Sequence, residues 1–529
     1  MTQGYWLPVL HSHLPFVKHP EYDYFLEEHW LFEAITETYI PLLMIMQRMV
    51  DEGVGFRLTT SVTPTLAEML ADEYLGQRYM KHLDKLIELS ERELKRLNND
   101  RDFLPLALFY NQRFNEIKSF YVNVLNCNLL SGYGRFMDMG KLDVITCGAT
   151  HGFLPLLSVN PQAIEVQIGV AVQTHTRHFG KAPSGIWLPE CAYYEGLDEV
   201  LRRHSLQYFF LDTHGLTEGS PSPRYNVYAP VYTTHGVAAF ARDPLSSQQV
   251  WSSKSGYPGD FDYRDFYKDI GYDLDFDYIK PYISPDGIRV FTGLKYYRVT
   301  GLADDKHPYI PEAALNKAIL HAKDFCSKRD DHIRALSRGM DRPPAVVSCY
   351  DAELYGHWWF EGPEFLYHVF CQTHNDNAIK AITPLEYLCR FHDNQVVSPR
   401  PSTWGDKGGY DVWLNDKNDW VYKHLFSMAT TMETLANAHY HESHPITVRV
   451  LNQLLRELLL SQSSDWTFLI TMGTASQYCE KRTKEHIANF NRLLEGFRAR
   501  RLDINFLQWL EQKNSIFEDL NFRVFACKR

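Results

Sequence analysis

No Cys-x-x-Cys pair occurs among the nine cysteines, which scatter from Cys127 to Cys527. Neither a zinc ribbon nor a disulfide framework is suggested, and unclustered thiols fit a reducing, cytoplasmic compartment. No apolar run reaches the roughly 18–20 residues that cross a bilayer, so no membrane span is expected. The stretch Met1–Phe16 has no basic segment followed by an apolar one, so no secretory signal is expected either. Positive charge is scarce: 54 Lys and Arg stand against 65 Asp and Glu in 529 residues, a formal charge of −11. That balance argues against a nucleic-acid partner, because phosphate binding rests on clustered cations. There is no repeat of fixed period, no low-complexity tract and no H-E-x-x-H motif.

Aromatic side chains are abundant. There are 11 Trp, 32 Tyr and 31 Phe, together 14% of the chain. Such rings suit the apolar faces of sugars, although a well-packed core uses them too.

Seven short apolar segments each run into polar residues: Tyr5–Leu10 into His11 and His13, Phe56–Val62 into Thr63, and Leu142–Cys147 into His151. Gly185–Leu188 runs into Glu190, Tyr208–Leu211 into Asp212, Val237–Phe240 into Arg242 and Asp243, and Ala345–Cys349 into Asp351 and Glu353. They are too short and apolar for amphipathic helices, so they read as buried strands. Helical patterns such as Glu33–Val50 and Ala163–His178 lie between them, which implies parallel pairing with crossovers. The expected fold is α/β, an incomplete (β/α)7 barrel with chemistry at the strands' C-terminal ends. It spans 1–415, with a helical insertion at about 66–140, and a C-terminal helical domain covers 416–529. A Gly-, Pro-, Asp- and Tyr-rich run from Lys254 to Tyr263 reads as a long rim loop.

Glu190 and Asp351 each follow a buried strand, where an acid points into a cleft. Such a pair can act as nucleophile and general acid–base on a glycosidic bond, at about 5–5.5 Å for retention or roughly 6.5–9.5 Å for inversion. The alternative is that each is salt-bridged or caps a helix. His11 and His13 share one strand face. They could bond sugar hydroxyls, hold a carboxylate, or begin a metal site that His151 and Asp351 complete. Trp404, in a Gly-rich loop, suits sugar stacking, as do Trp358 and Trp413 if they are not core. Arg242 and Asp243 could orient an acid, bind hydroxyls or form a structural ion pair. Gly259 lies in a turn that a ligand could approach closely.

In order and spacing, His11–Pro15, Gly148–Gly152, Gly185–Tyr193, Cys349–Trp359 and Ser402–Gly405 resemble glycoside hydrolase family 57, an α-glucan-active family with an incomplete barrel. Gln462–Trp466 resembles the helical domain of that family's 1,4-α-glucan branching enzymes. The resemblance implies a retaining mechanism without metal or cofactor, acting on amylose- or glycogen-like polymer. Glu190 matches the nucleophile and Asp351 the general acid–base. His11, His13, His151 and Trp187 match positions lining the reacting-sugar subsite. Arg242, Gly259, Trp404 and Asp465 resemble substrate-binding positions. Asp351 then needs a raised pKa and Glu190 a lower one.

One departure stands out. Branching members carry a long mobile loop, bearing a tyrosine, before the Arg-Asp pair. Here the connection is short, from Pro221 to Tyr232 and then His235-Gly236, and Tyr232 is the nearest candidate for that tyrosine. A shorter loop shields the intermediate less, which favours an α-amylase-like hydrolase on the same scaffold. Two further rivals are a metal-dependent hydrolase built on His11 and His13 and a silent glucan-binding protein.

Overall fold

The computed structural model describes residues 2–252, 256–301, 306–376 and 378–527. Lys254 and Ser255, the start of the expected rim loop, lie outside the described residues.

Nine strands form: β1 (Gly4–Ser12), β2 (Leu58–Val62), β3 (Leu142–Ile145), β4 (Gly185–Ile186), β5 (Tyr208–Leu211), β6 (Val231–Tyr232), β7 (Ala238–Ala241), β8 (Ala345–Asp351) and β9 (Ile379–Ala381). Seven match the expected segments. The short strands β6 and β9 carry no sequence pattern of their own. One sheet runs β3-β2-β1-β8 with β9 also on β1, and the other runs β4-β5-β7-β6. Every pair is parallel except β6 with β7. A parallel bridge from Thr146 to Ile186 links the two sheets. At the opposite seam the Asp243 N–H donates to the Val347 carbonyl at 2.8 Å, but no ladder joins β7 to β8 among the described residues. The result is an α/β fold in which seven of the parallel strands, β1–β5, β7 and β8, stop short of a closed barrel.

Alternation along β1 builds two cores. Tyr5, Leu7 and Val9 pack with Cys147, Trp187, Phe210, Phe240, Val347 and Cys349. Trp6 and Leu10 join the cluster formed with the surrounding helices. Burial on both faces suits a central parallel strand. Pro8, which has no N–H, is tolerated by position. Trp6, of the same parity, bonds toward β9, which ends opposite Trp6, while β2 begins opposite Val9. Pro8 therefore faces the gap where no ladder partner needs a donor.

The expected insertion is helical, with helices Pro64–Ala71, Glu73–Arg96, Leu104–Ser119 and Leu129–Asp138. From Asp419 onward only helices form, among them Pro445–Ser461, Ser464–Met472 and Ser476–Arg498. Local chemistry sets the ends. Asn160 caps the Pro161–Phe179 helix by accepting from the Ala163 N–H, Pro161 stands in its first turn, and Gly180 ends it at φ 69°. Among the described residues no helix is long and apolar enough to cross a membrane.

Candidate active site

The interior apolar cluster forms a floor, and the C-terminal ends of the strands place polar residues above it. His11 stands near the end of β1, in register with Asp351 at the end of β8. His151 and Glu190 follow β3 and β4 in left-handed conformations, with φ 56° and 61°. Such values are uncommon away from glycine and cluster at functional sites.

Glu190 is held from two sides. Its Oε2 accepts from Trp404 Nε1 at 2.8 Å and its Oε1 from Ser464 Oγ at 2.9 Å. Its backbone carbonyl accepts from the Trp404 N–H at 3.0 Å. Ser464 begins a helix of the C-terminal region and is docked by its own N–H to the His151 carbonyl at 3.0 Å. That serine also fixes proton positions. Its single hydroxyl proton goes to the ionised carboxylate, so His151 Nδ1, 2.8 Å from the same oxygen, must be the donor there. Burial, with His13 nearby, lowers the pKa of His151 well below the ordinary value. The ring is neutral, and its Nε2 accepts from His11 Nε2 at 3.1 Å. Burial and the neighbouring histidines likewise keep His11 neutral, so its Nδ1 accepts from Ser61 Oγ at 2.6 Å. A directed chain of hydrogen bonds thus runs from Ser61 through His11, His151 and Ser464 to Glu190.

His13 behaves oppositely. Burial disfavours its charge, but Asp465 accepts from Nε2 at 2.9 Å and raises its pKa overall. Asp465 is itself held well below the usual carboxylate range against its own burial, chiefly by His13. The His13 ring stacks on His151 at 3.8 Å. Trp187 is fully buried and stacks on His11 at 4.9 Å, so it supports the histidines from the interior core.

Asp351 faces a cavity of about 800 Å³ that Arg242, Gly259, Trp358 and Trp404 also line. It is exposed, and its carboxyl has no hydrogen-bond partner among the described residues. Surrounding protein still lifts its pKa to about 6, against the pull of His13 and Arg242. Glu190 lies at about 7, raised by burial and by Asp465, and lowered by the Trp404 and Ser464 bonds. The expected order, with Glu190 below Asp351, is therefore not met. The Asp465 charge and the deeper burial of Glu190 account for the difference.

Other expectations are corrected here. Arg242 pairs with Asp212, with Nη2 to Oδ2 at 2.9 Å, and not with Asp243. Asp243 instead caps the Pro244–Trp251 helix, accepting from the Ser246 N–H at 2.7 Å. Trp413 is 1% exposed and stacks on Phe153 at 4.6 Å, so it is core despite its Gly-rich loop. Trp358 is 52% exposed and stacks on Phe266 at 4.3 Å. Tyr232 is in β6, opposite Ala238 at the start of β7. That is the end of the strand away from Arg242, so Tyr232 is no candidate for a tyrosine over the site. Gly215 and Ser220, on the way to it, bond along Ser398 and Arg400.

Sequence reasoning missed Ser464 and Glu353. Ser464 precedes Asp465 in a motif already singled out. Glu353 accepts from Tyr39 Oη and, at 3.4 Å, from the His13 N–H. Burial, then Asp351, raises its pKa to about 7. Its Oε1 takes both bonds, whereas neither oxygen of Asp351 has a partner among the described residues.

Two triplets could gather around a cation: His11, Cys147 and His151, or His13, His151 and Asp465, each with ligand atoms within 4.8 Å. The set expected from sequence differs, because Asp465 takes the place of Asp351. Both triplets are poor donors as they stand. Burial raises the Cys147 thiol pKa well above its ordinary value, and Asp465 raises the His13 pKa, which favours a protonated ring over a ligand.

The family model described as glycosyl hydrolase family 57 matches residues 9–399, and that described as 1,4-alpha-glucan branching enzyme, C-terminal, matches 424–525. The chain belongs to glycosyl hydrolase family 57. This family 57 chain is 33% identical to a 1,4-alpha-glucan branching enzyme of Thermococcus kodakarensis, over 97% of the chain and 77% of the relative. Among solved structures it is similar to the alpha-amylase AmyC of Thermotoga maritima, at 44% identity and TM-score 0.94 over 99% of each chain. It is also similar to a family 57 branching enzyme of Pyrococcus horikoshii, at 32% identity and TM-score 0.90, covering 100% and 98%.

Removing the Ser464 hydroxyl tests the directed chain. Ser464→Ala is expected to lower kcat/KM about 10- to 100-fold, the usual worth of a hydrogen bond to a charged group. It also moves the basic limb of the pH profile upward, because the lost bond lowers the Glu190 pKa and, with Asp351 at about 6 and Glu190 at about 7, the higher limb follows Glu190. Unchanged kcat/KM with an unmoved limb, read in one set of pH-rate profiles, contradicts it.

Proposed function

We propose that this chain is a retaining 1,4-α-glucan branching enzyme, which cleaves an α-1,4 bond and transfers the released chain to a glucose 6-hydroxyl. Ionised Glu190 attacks the anomeric carbon, and protonated Asp351 gives its proton to the departing oxygen. The covalent glycosyl-enzyme is then attacked by the acceptor hydroxyl, whose proton returns to Asp351. The observation that carries this reading is the contrast between the two acids. Glu190 is fixed at both oxygens, as a nucleophile must be, and Asp351 stands free in the cavity, as a proton carrier must. His11, His13, His151 and Asp465 form the polar wall of the reacting-sugar subsite, with Trp187 backing His11 from the core, and Arg242, Gly259 and Trp404 hold the polymer along the cavity. The catalytic part is 1–415 with the insertion at about 66–140, and 416–529 is the helical domain that supplies Ser464 and Asp465. The polymer is amylose- or glycogen-like, and the nine unpaired thiols suit work in the cytoplasm.

Hydrolysis is the second reading. The segment 212–237 is packed against 396–402 and raises no tyrosine over the cavity, and water then competes as acceptor. With amylose as substrate, new α-1,6 linkages counted by NMR are expected to outnumber new reducing ends. Reducing ends without α-1,6 linkages assign the chain to hydrolysis.

A further inference from the structure

A second cavity, of about 160 Å³, lies between the residues around Asp23–Phe32, the Glu73–Arg96 helix and the segment around Tyr282–Thr292. None of its lining residues lines the active-site cavity. A void of about 150 Å³ accepts one bare six-membered ring such as benzene, so a pyranose fits with its ring inside and its substituents reaching out to the exposed rim.

Its walls are of two kinds. Arg78, Lys81 and Lys85 stand at spacings of three and four on one face of the Glu73–Arg96 helix. Arg78 is committed, because it pairs with Glu28 and donates to the Tyr22 carbonyl. Lys81 and Lys85 are exposed and form no ion pair or hydrogen bond among the described residues. Asp23, also exposed, is the one other acid besides Glu28 in the lining. Among the lining residues two lysine charges thus outnumber one free carboxylate, while Glu88, bonded to Tyr282 Oη, and Asp286, near Tyr24, lie just outside the lining. Deeper in, the rings of Tyr24, Phe25, Tyr282 and Phe291 supply apolar faces. His29 lines the space as well, and its Nδ1, shut away from solvent, has no hydrogen-bond partner. Burial, with Lys85, lowers the His29 pKa to about 4, so at neutral pH this ring is uncharged and can donate or accept.

We propose that this cavity binds a monosaccharide carrying an anionic group, of the hexose phosphate class, with the ring among the aromatics against His29 and the anion at Lys81 and Lys85. The site does not depend on the catalytic reading, because it shares no residue with the cavity of Asp351. It does adjoin that cavity's wall: Phe291 contacts Phe266 at 5.3 Å between ring centroids, and Phe266 is the ring that stacks on Trp358.

The test is calorimetric titration of the full chain with glucose 6-phosphate, inorganic phosphate and glucose in turn, repeated on the Lys81→Ala/Lys85→Ala double variant. Both lysines are exposed helix residues, so the fold is expected to survive, and unchanged glucan turnover checks it. Glucose 6-phosphate is expected to bind saturably, at least tenfold more tightly than phosphate or glucose, and to lose at least tenfold in the double variant. Inorganic phosphate binding as tightly as the sugar ester overturns the pyranose half of the proposal. Absent binding, or binding that the double variant leaves unchanged, overturns all of it. Loss on His29→Phe, which sets a larger apolar ring in the lining, is expected as well, and its retention there contradicts the placement of the sugar ring.

Discussion

Asp351→Asn is expected to lower steady-state turnover on amylose by about 10²- to 10⁴-fold, the usual contribution of a positioned acid–base. The loss should depend on the leaving group. A glycosyl fluoride needs no proton on departure, so the first step survives and fluoride appears as a burst. The second step lacks its base, and turnover then stalls. The pH dependence separates the roles further. In the parent chain Glu190 must be ionised and Asp351 protonated. With Glu190 at about 7 and Asp351 at about 6, the productive form is a minority of the singly protonated enzyme. A narrow bell in kcat/KM follows, with limbs near those two values. In the variant the burst rate should lose the basic limb and show a single acidic limb shifted up to about 7, because Glu190 alone still titrates. A basic limb that persists would give the acid's role to another group. Glu353 is the neighbour to examine, although Tyr39 and the His13 backbone already occupy it.

Glu190→Gln should cost more, on the order of 10⁴-fold or beyond, because no covalent intermediate can form without the nucleophile. Trp404 and Ser464 both donate to this position. A glutamine can accept one of those bonds but turns its own amide donor toward the other. The loss should therefore appear in the first step, with fluoride donors as with amylose, unlike that of Asp351→Asn. Glu190→Gly opens the same face to a small anion. Added azide is expected to restore activity by attacking the carbon that the carboxylate would have attacked, giving a glycosyl azide inverted relative to the α-linked donor. Azide rescue of Asp351→Gly with the same product, and none of Glu190→Gly, would exchange the two roles.

Much of the scaffold was readable in the sequence, because short apolar runs ending in His, Glu, Arg and Asp leave few alternatives to buried parallel strands. The gap opposite Pro8 was not readable, since it depends on where β9 stops and β2 begins. Trp413 shows the limit of composition: a Gly-rich loop reads as surface, yet its indole packs against Phe153. Asp212 shows a different limit. Sequence adjacency joined Arg242 to Asp243, while the parallel pairing of β5 with β7 sets Arg242 beside Asp212. The histidines, Trp404 and Asp465 do converge on Glu190, as their motifs implied. Ser464 was hidden because one serine in a polar run has no signature until the helix it begins is docked on His151. The pKa order escaped for a similar reason: only the fold brings Asp465 close enough to Glu190 to raise it.

The central issue is whether Glu190 becomes covalently bonded to the sugar. Incubating the Asp351→Asn chain with a fluorinated maltosyl fluoride, which forms the intermediate and releases it slowly, and then sequencing the labelled peptide by mass spectrometry, addresses it directly. The expected result is one added glycosyl unit on the peptide containing Pro189, Glu190 and Cys191, located on Glu190. A label on Glu353 or Asp465, or rapid fluoride release with no labelled peptide, would contradict it.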